Sequence, residues 1–499
     1  MEALFGTALG TGTILLLGCA LLLALSFEFV NGFHDTANAV ATVVYTHTLR
    51  PGHAVAWSAF WNFLGALTSS GAVAFGIVAL LPVELIVNVG SGAGVAMVFA
   101  LLVSAIVWNI GTWYLGLPAS SSHTLIGSIV GVGLMNSWLT ANTELGEGVN
   151  WGKVGDTALS LLISPAIGFV CAALLLLLAR ALLRNPALYQ APVGKQPPPL
   201  PVRALLVLTC TGVSFAHGSN DGQKGMGLIM LVLIGIVPSM YALNLDVEPQ
   251  SVARLAQSAR ASVAILEKLP GAAGAEEMSE ERAQEALSLY LRKGKVEDDT
   301  RAALLRKTRA IERALIGVNA LTEVPPQARA NLRSDVFLVA QSIAKMARGD
   351  GVFPAANKAA LVEFQHELKQ VTTFIPTWVK AVTALALGLG TMVGWKRIAI
   401  TIGEKIGKVH LTYAQGAAAE LVAMATISVA DRYGLPVSTT HVLSSGIAGT
   451  MVANKAGVQG DVVRRILLAW ALTLPVCMFL GATLFAAALF IVLRLFGLH

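Results

Sequence analysis

Two aspartates stand in matching surroundings. Phe29, Gly32 and Asp35 recur as Phe215, Gly218 and Asp221 at a constant offset of 186 residues. The second copy runs His217-Gly218-Ser219-Asn220-Asp221-Gly222-Gln223-Lys224-Gly225 between the apolar runs Ala204–Ser214 and Met226–Val237. Ionisable groups within such runs are costly in a membrane and read as functional. The glycines predict an unwound backbone, which membrane depth tolerates only where it lines a site. A second pair of motifs offers donors. Leu117-Pro118-Ala119-Ser120-Ser121-Ser122-His123 recurs as Leu435-Pro436-Val437-Ser438-Thr439-Thr440-His441. A proline and three hydroxyls before an apolar segment mark a helix start. Helix N-termini favour anions through free N–H groups and the macrodipole. Two such ends meeting near the midplane would make a pocket for a small tetrahedral oxyanion. Asp35 and Asp221 would repel a bare anion. Their expected work is to hold a co-transported cation, take a proton, or bind a metal that accompanies the anion. His123 and His441 either fix the hairpin tips or touch the substrate. Glu28 and Glu420 are weaker candidates near the same motifs.

The rest of the chain must hold these groups in a bilayer. Of 499 residues, 55% are hydrophobic and 13% charged; soluble domains carry about a quarter charged residues. Candidate spans in the first half are Thr13–Val30, Val55–Leu81, Val95–Tyr114 and Ala158–Leu183. The hydroxyl motifs are too polar for ordinary spans and predict re-entrant hairpins or broken helices. Membrane segments resume at Phe374–Gly394, followed by a mixed stretch Ile402–Gln415, then Ala417–Ala430, Val442–Val452 and Ile466–Leu495. The four cysteines lie singly in apolar runs, which predicts packing roles and no disulfide. The apolar N-terminal run lacks a basic flank and leads into Glu28 and Asp35, so it reads as a first membrane helix.

The charge is concentrated. Residues 246–369 hold 17 of the 29 acidic and 18 of the 35 basic residues, leaving 12 and 17 for everything else. The organisation expected is a first transmembrane repeat over 1–183, a polar linker over 184–203, the start of a second repeat over 204–245, a hydrophilic insert over 246–372, and the remainder of the second repeat over 373–499. The linker, with Arg184, Lys195, Arg203 and the run Pro197-Pro198-Pro199, reads as cytoplasmic by the positive-inside rule. The insert is expected in the cytoplasm as well. Its amphipathic stretches Ser251–Leu269, Ser279–Leu291, Asp299–Val318, Pro326–Ala347 and Pro354–Val371 predict a helical bundle. The hydroxyl motifs repeat at 318 residues and the aspartate motifs at 186; the difference, 132, is about the size of the insert. Paired interrupted segments in two halves point to a transporter's binding site. The fold class expected is therefore an all-α polytopic membrane protein, with two inverted repeats, broken helices or re-entrant hairpins, and a soluble helical insert.

Other classes fit less well. The stretch Gly218–Gly225 contains a lysine but lacks Gly-Lys-[Ser/Thr] and any βαβ context, which argues against a nucleotide-binding loop. The net charge of +6 resides mainly in short loops and suits membrane orientation rather than nucleic-acid binding. Hydroxyls also line channels. Carboxylates facing an anion site favour ion-coupled transport.

These motifs together resemble the inorganic phosphate transporter (PiT) family. Gly32-Phe33-His34-Asp35-Thr36-Ala37-Asn38-Ala39 and Gly218-Ser219-Asn220-Asp221 are similar to its duplicated Gly-Ala-Asn-Asp-x-x-Asn signature. Both hydroxyl motifs match its hairpins. The resemblance covers both membrane halves and is strongest to the bacterial low-affinity branch. It implies inward symport of phosphate across the inner membrane by inverted repeats, often as a homodimer, with no enzymatic activity and no resident cofactor. The bacterial branch implies proton coupling and phosphate carried as a complex with a divalent metal. Sodium coupling, or carriage of sulfate or arsenate, is the alternative. By position the site would comprise Asp35, Asn38, Ser120, Ser121, Ser122, Asn220, Asp221, Ser438, Thr439 and Thr440.

The chain departs from the signature twice. His34 replaces the Asn before the first aspartate, and Lys224 replaces the Asn three residues after the second. An ammonium has no acceptor and repels sodium, whereas an Asn carbonyl can ligate it. Lys224 is therefore expected to act as a tethered cation balancing Asp221. His34, with an ordinary pKa near 6.5, would share the proton with Asp35. The ion-coupling set is then His34, Asp35, Asp221 and Lys224. The competing expectation is that Lys224 snorkels to the interface.

Overall fold

In hydrocarbon every backbone N–H and C=O must be bonded within its own segment, so apolar stretches fold as helices. The computed structural model describes residues 10–140, 143–192, 194, 196–349, 353–492 and 494. The first half gives α1 (Thr11–Tyr45), α2 (Pro51–Thr68), α3 (Ala72–Val78), α4 (Val83–Val87), α5 (Gly92–Tyr114), α6 (Ser121–Leu139) and α7 (Trp151–Leu182). After the linker comes α8 (Leu200–Ile236). The insert forms α9 (Pro249–Leu266), α10 (Glu280–Lys293), α11 (Asp298–Leu315), α12 (Pro326–Arg348) and α13 (Ala355–Thr372). The membrane body resumes with α14 (Thr377–Thr391), α15 (Tyr413–Arg432), α16 (Thr439–Ala453) and α17 (Gly460–Ile491). Helices α1, α5, α7, α8 and α17 are long and apolar enough to cross a bilayer. The described residues contain no strand, only an isolated bridge between Gly407 and Val458. The molecule is thus an all-α polytopic membrane protein.

The expected unwinding at the aspartates does not occur. Both α1 and α8 continue as helix through Asp35 and Asp221, and the two apolar runs flanking Asp221 belong to one helix. Gly32, Gly218, Gly222 and Gly225 all keep negative φ. What these glycines supply is the missing side chain. A Cβ on Gly218 would lie 2.7 Å from the Asn62 Cα, and one on Gly222 would lie 2.7 Å from the Ala66 Cβ. One on Gly32 would lie 2.9 Å from the backbone nitrogen of Thr391. The backbones of α1, α2, α8 and α14 therefore touch. The same device joins α6 to α17, where a Cβ on Gly131 would lie 2.7 Å from the carbonyl carbon of Met478. It also joins α7 to α16, where one on Gly449 would lie 2.9 Å from that of Phe169.

The run Val55–Leu81 is a second correction. It breaks into α2 and α3, bent by 73°. Ser69 is extended at ψ 152° and Gly71 takes φ +88°, in the left-handed region open to glycine. Lys380 Nζ donates to the freed Ser69 carbonyl at 2.7 Å.

Helices α1 and α8 run antiparallel. Glu28 Oε1 accepts the Gly225 N–H at 2.6 Å, and Asp35 faces His217. Further along, Thr42 and Thr209 both donate to the Glu420 carboxylate. The insert is a bundle with its own core, including Leu255, Leu287, Leu304, Val339 and Phe364. Val83 and Val87 of α4 pack against that core. Arg292 Nε lies 3.1 Å from Glu84 and 3.8 Å from Glu147. Linker and insert occupy opposite ends of α8, whose 37 residues span about 55 Å.

Two outcomes are expected. Gly218→Leu should lower the detergent melting temperature by several degrees, since overpacking costs about 1–3 kcal/mol. Gly52→Ala, where a Cβ meets nothing within 4 Å, should not. The Asn244 N–H donates to the Val371 carbonyl at 2.9 Å, so the ends of the insert already meet. Replacing residues 249–370 with a short flexible linker should leave measurable uptake in correctly inserted protein. Complete loss of uptake with normal insertion would show that the bundle is required for transport itself.

Candidate functional site

The two hydroxyl motifs start helices that meet head to head. Ser120 and Ser438 are the N-caps of α6 and α16, accepting the N–H groups of His123 at 3.2 Å and His441 at 3.1 Å. This capping satisfies donors that helix ends leave free. The first hydroxyl of each run thus serves its own helix. Ser122 Oγ donates to the Val437 carbonyl at 2.8 Å and ties one hairpin to the other. The rings of His123 and His441 lie 4.6 Å apart, and His441 stacks on Trp470 at 3.8 Å. Both histidines therefore shape the junction.

One further hydroxyl from each run reaches the same carboxylate. Ser121 Oγ donates to Asp35 Oδ2 at 3.1 Å, and Thr440 Oγ1 donates to Asp35 Oδ1. A carboxylate held by the first turns of two helices sits where their dipoles favour negative charge. Thr439 Oγ1 is buried and makes no hydrogen bond. His34 Nδ1 lies 3.4 Å from Asp35 Oδ1, and its Nε2 lies 3.2 Å from Thr112 Oγ1.

The second carboxylate carries the cation. Lys224 Nζ lies 2.8 Å from Asp221 Oδ2 and donates to Ser121 Oγ at 3.1 Å. Lys224 is fully buried, so it does not snorkel. Continuous helix explains the pairing, since residues three apart share a face. His217, four residues before Asp221, lies on that face too. Its Nε2 is 3.4 Å from Asp221 Oδ2 and 4.0 Å from Asp35 Oδ2, and its Nδ1 is 2.8 Å from Asn62 Oδ1. Ligand atoms of Asp35, His217 and Asp221 fall within 4.8 Å of one another, a mixed O/N set that suits a divalent metal. The motif reading had left His217 out of the site. Its signal was the i, i+4 spacing to Asp221, which counts only if the helix is unbroken.

Asn220 turns from this centre; its Nδ2 donates to the Leu435 carbonyl at 3.2 Å, just before Pro436. The side chain of Asn38 lies outside the described residues. Two unanticipated groups brace α8. Ser219 Oγ and Gln223 Nε2 donate to the two oxygens of Asp431 at 2.7 and 2.6 Å. The whole centre is enclosed: Asp35 is 3% exposed, Asp221 and Thr440 0% and Ser121 1%. It can hold a proton or cation between two carboxylates and can offer hydroxyls to an anion.

Comparison with known proteins agrees with this geometry. Residues 31–481 match the model of the phosphate transporter family. The chain is 41% identical to the low-affinity inorganic phosphate transporter PitA of Escherichia coli (strain K12), over 96% of this chain and 97% of that one. It is 28% identical to a probable low-affinity inorganic phosphate transporter of Bacillus subtilis (strain 168), over 97% and 98%. Among solved structures, a sodium-dependent phosphate transporter shares the fold, with a TM-score of 0.51 at 18% identity, covering 95% of this chain and 98% of that one. The chain belongs to the phosphate transporter family.

Proposed function

We propose that this membrane phosphate transporter imports phosphate by proton symport, through an inverted pair of repeats that share one central site. One observation carries the reading. The hydroxyls best placed to grip an oxyanion, Ser121 and Thr440, already donate to Asp35. An anion can take those donors only once Asp35 has lost its charge or moved, because two like charges at one site repel. A proton on Asp35 releases the hydroxyls, and an anion that takes them favours that protonated state. Proton and anion then bind cooperatively, as symport requires. His34 beside Asp35 is the route for the proton.

The Lys224–Asp221 pair supports protons over sodium. A buried ammonium already occupies the carboxylate oxygen that a sodium ion would need. The triad of Asp35, His217 and Asp221 supports a further step, in which phosphate travels as a complex with a divalent metal. The metal is cargo here. It would compete with Lys224 for Asp221 Oδ2 and would neutralise the phosphate beside two carboxylates.

Two tests follow in proteoliposomes. Ser121→Ala and Thr440→Ala should each raise the half-saturation for phosphate about ten-fold or more, since a hydrogen bond to a charged group is worth ~1.5–3 kcal/mol. Unchanged values in both would remove these hydroxyls from the site. Uptake by the unmodified protein should follow an imposed inward proton gradient and ignore a sodium gradient. Combining Lys224→Asn with His34→Asn should weaken the proton response and admit sodium. Sodium-driven, pH-independent uptake by the unmodified protein would rule out proton coupling.

A further inference from the structure

The polar linker and the helical insert are joined by one unbroken spanning helix, so the bilayer separates them. Near the start of α8, Asn454 Nδ2 donates to the Tyr189 carbonyl, and Arg180 Nη1 donates to Asn454 Oδ1. At the far end of α8, Arg329 of the insert donates to the Ser239 carbonyl, and a Cβ on Gly90 would lie 2.7 Å from the Gly235 carbonyl oxygen. Each end of the body therefore has a defined set of loops.

Their charges differ. Four connections at the linker end carry basic residues: Arg50 after α1, Arg184 after α7, Arg397 and Lys408 before α15, and Lys455 after α16. The acids at that end are Glu404 and Asp461. At the insert end the segments outside the insert carry Glu84, Glu144, Glu147, Asp156 and Asp431 against Lys153, Lys380 and Arg432. Lysine and arginine set orientation when they lie in short loops near the ends of spans. The insert's own 18 basic residues do not decide the matter, because long domains cross largely regardless of charge.

We propose that the linker end is cytoplasmic and that the helical insert is an extracytoplasmic domain. It then docks on the outer end of the transporter. Val83 and Val87 of α4 pack against its core, and Arg292 bridges Glu84 and Glu147 beside them.

Cysteine accessibility tests the assignment on the full chain. Ala273→Cys in the insert and Gln196→Cys in the linker are both exposed positions. The four native cysteines lie within α1, α7, α8 and α17, so the unmodified chain supplies the background for a membrane-impermeant maleimide. In intact bacterial spheroplasts Ala273→Cys should label at least ten-fold faster than Gln196→Cys, and inside-out vesicles should reverse the order. Labelling of Gln196→Cys with protection of Ala273→Cys in spheroplasts would overturn the proposal. Equal labelling of both from one side would overturn it too, since α8 would then not separate them. Retained phosphate uptake in each variant shows that the labelled protein is folded.

Discussion

A carboxylate buried where two helices begin governs this structure. Asp35 is held by Ser121 from α6 and, from α16, by Thr440. It thereby satisfies the hydroxyls of both hairpins and the positive ends of both dipoles at once. Without it the buried Ser121 hydroxyl would lose its acceptor, at about 1–3 kcal/mol. With it, the negative charge must be matched nearby. Lys224 meets that need through Ser121, which connects the ammonium to Asp35 while Asp221 faces it directly. The two aspartate motifs, far apart in sequence, act as one network. Removing one partner of such a buried pair typically costs 3–5 kcal/mol. The network therefore constrains the closed conformation as much as it prepares a site.

Much of this was legible in the residues. The hydroxyl motifs start helices where Pro118 and Pro436 precede them, because local chemistry fixes a helix start. The insert's five helices follow their apolar periodicity closely, since each buries one face against its neighbours. The state of the aspartate motifs was not legible. A glycine offers either a free φ or an absent side chain, and the two uses look alike in sequence. At Gly71 the first applies; at Gly218 and Gly222 the second does. Only the approach of α2 distinguishes them. His217 was lost for the same reason, because its place beside Asp221 depends on helical spacing through that stretch.

The roles within each hydroxyl run were equally hidden. Three neighbouring hydroxyls appear equivalent in sequence. In the first run Ser120 caps its own helix, Ser121 turns to the shared carboxylate, and Ser122 binds across to Val437. Helical rotation of about 100° per residue divides them.

The glycine contacts also bear on mechanics. Where α1, α2, α8 and α14 touch backbone to backbone, no layer of flexible side chains lies between them to absorb a slide. Packed interiors are bistable rather than continuously deformable. These four helices are therefore joined as one block. The pairs of α6 with α17 and α7 with α16, joined in the same way, are two further blocks. The seams left to yield run between the blocks and pass through Asp35, so the lubricated surfaces of this machine are the ones that meet at its charge.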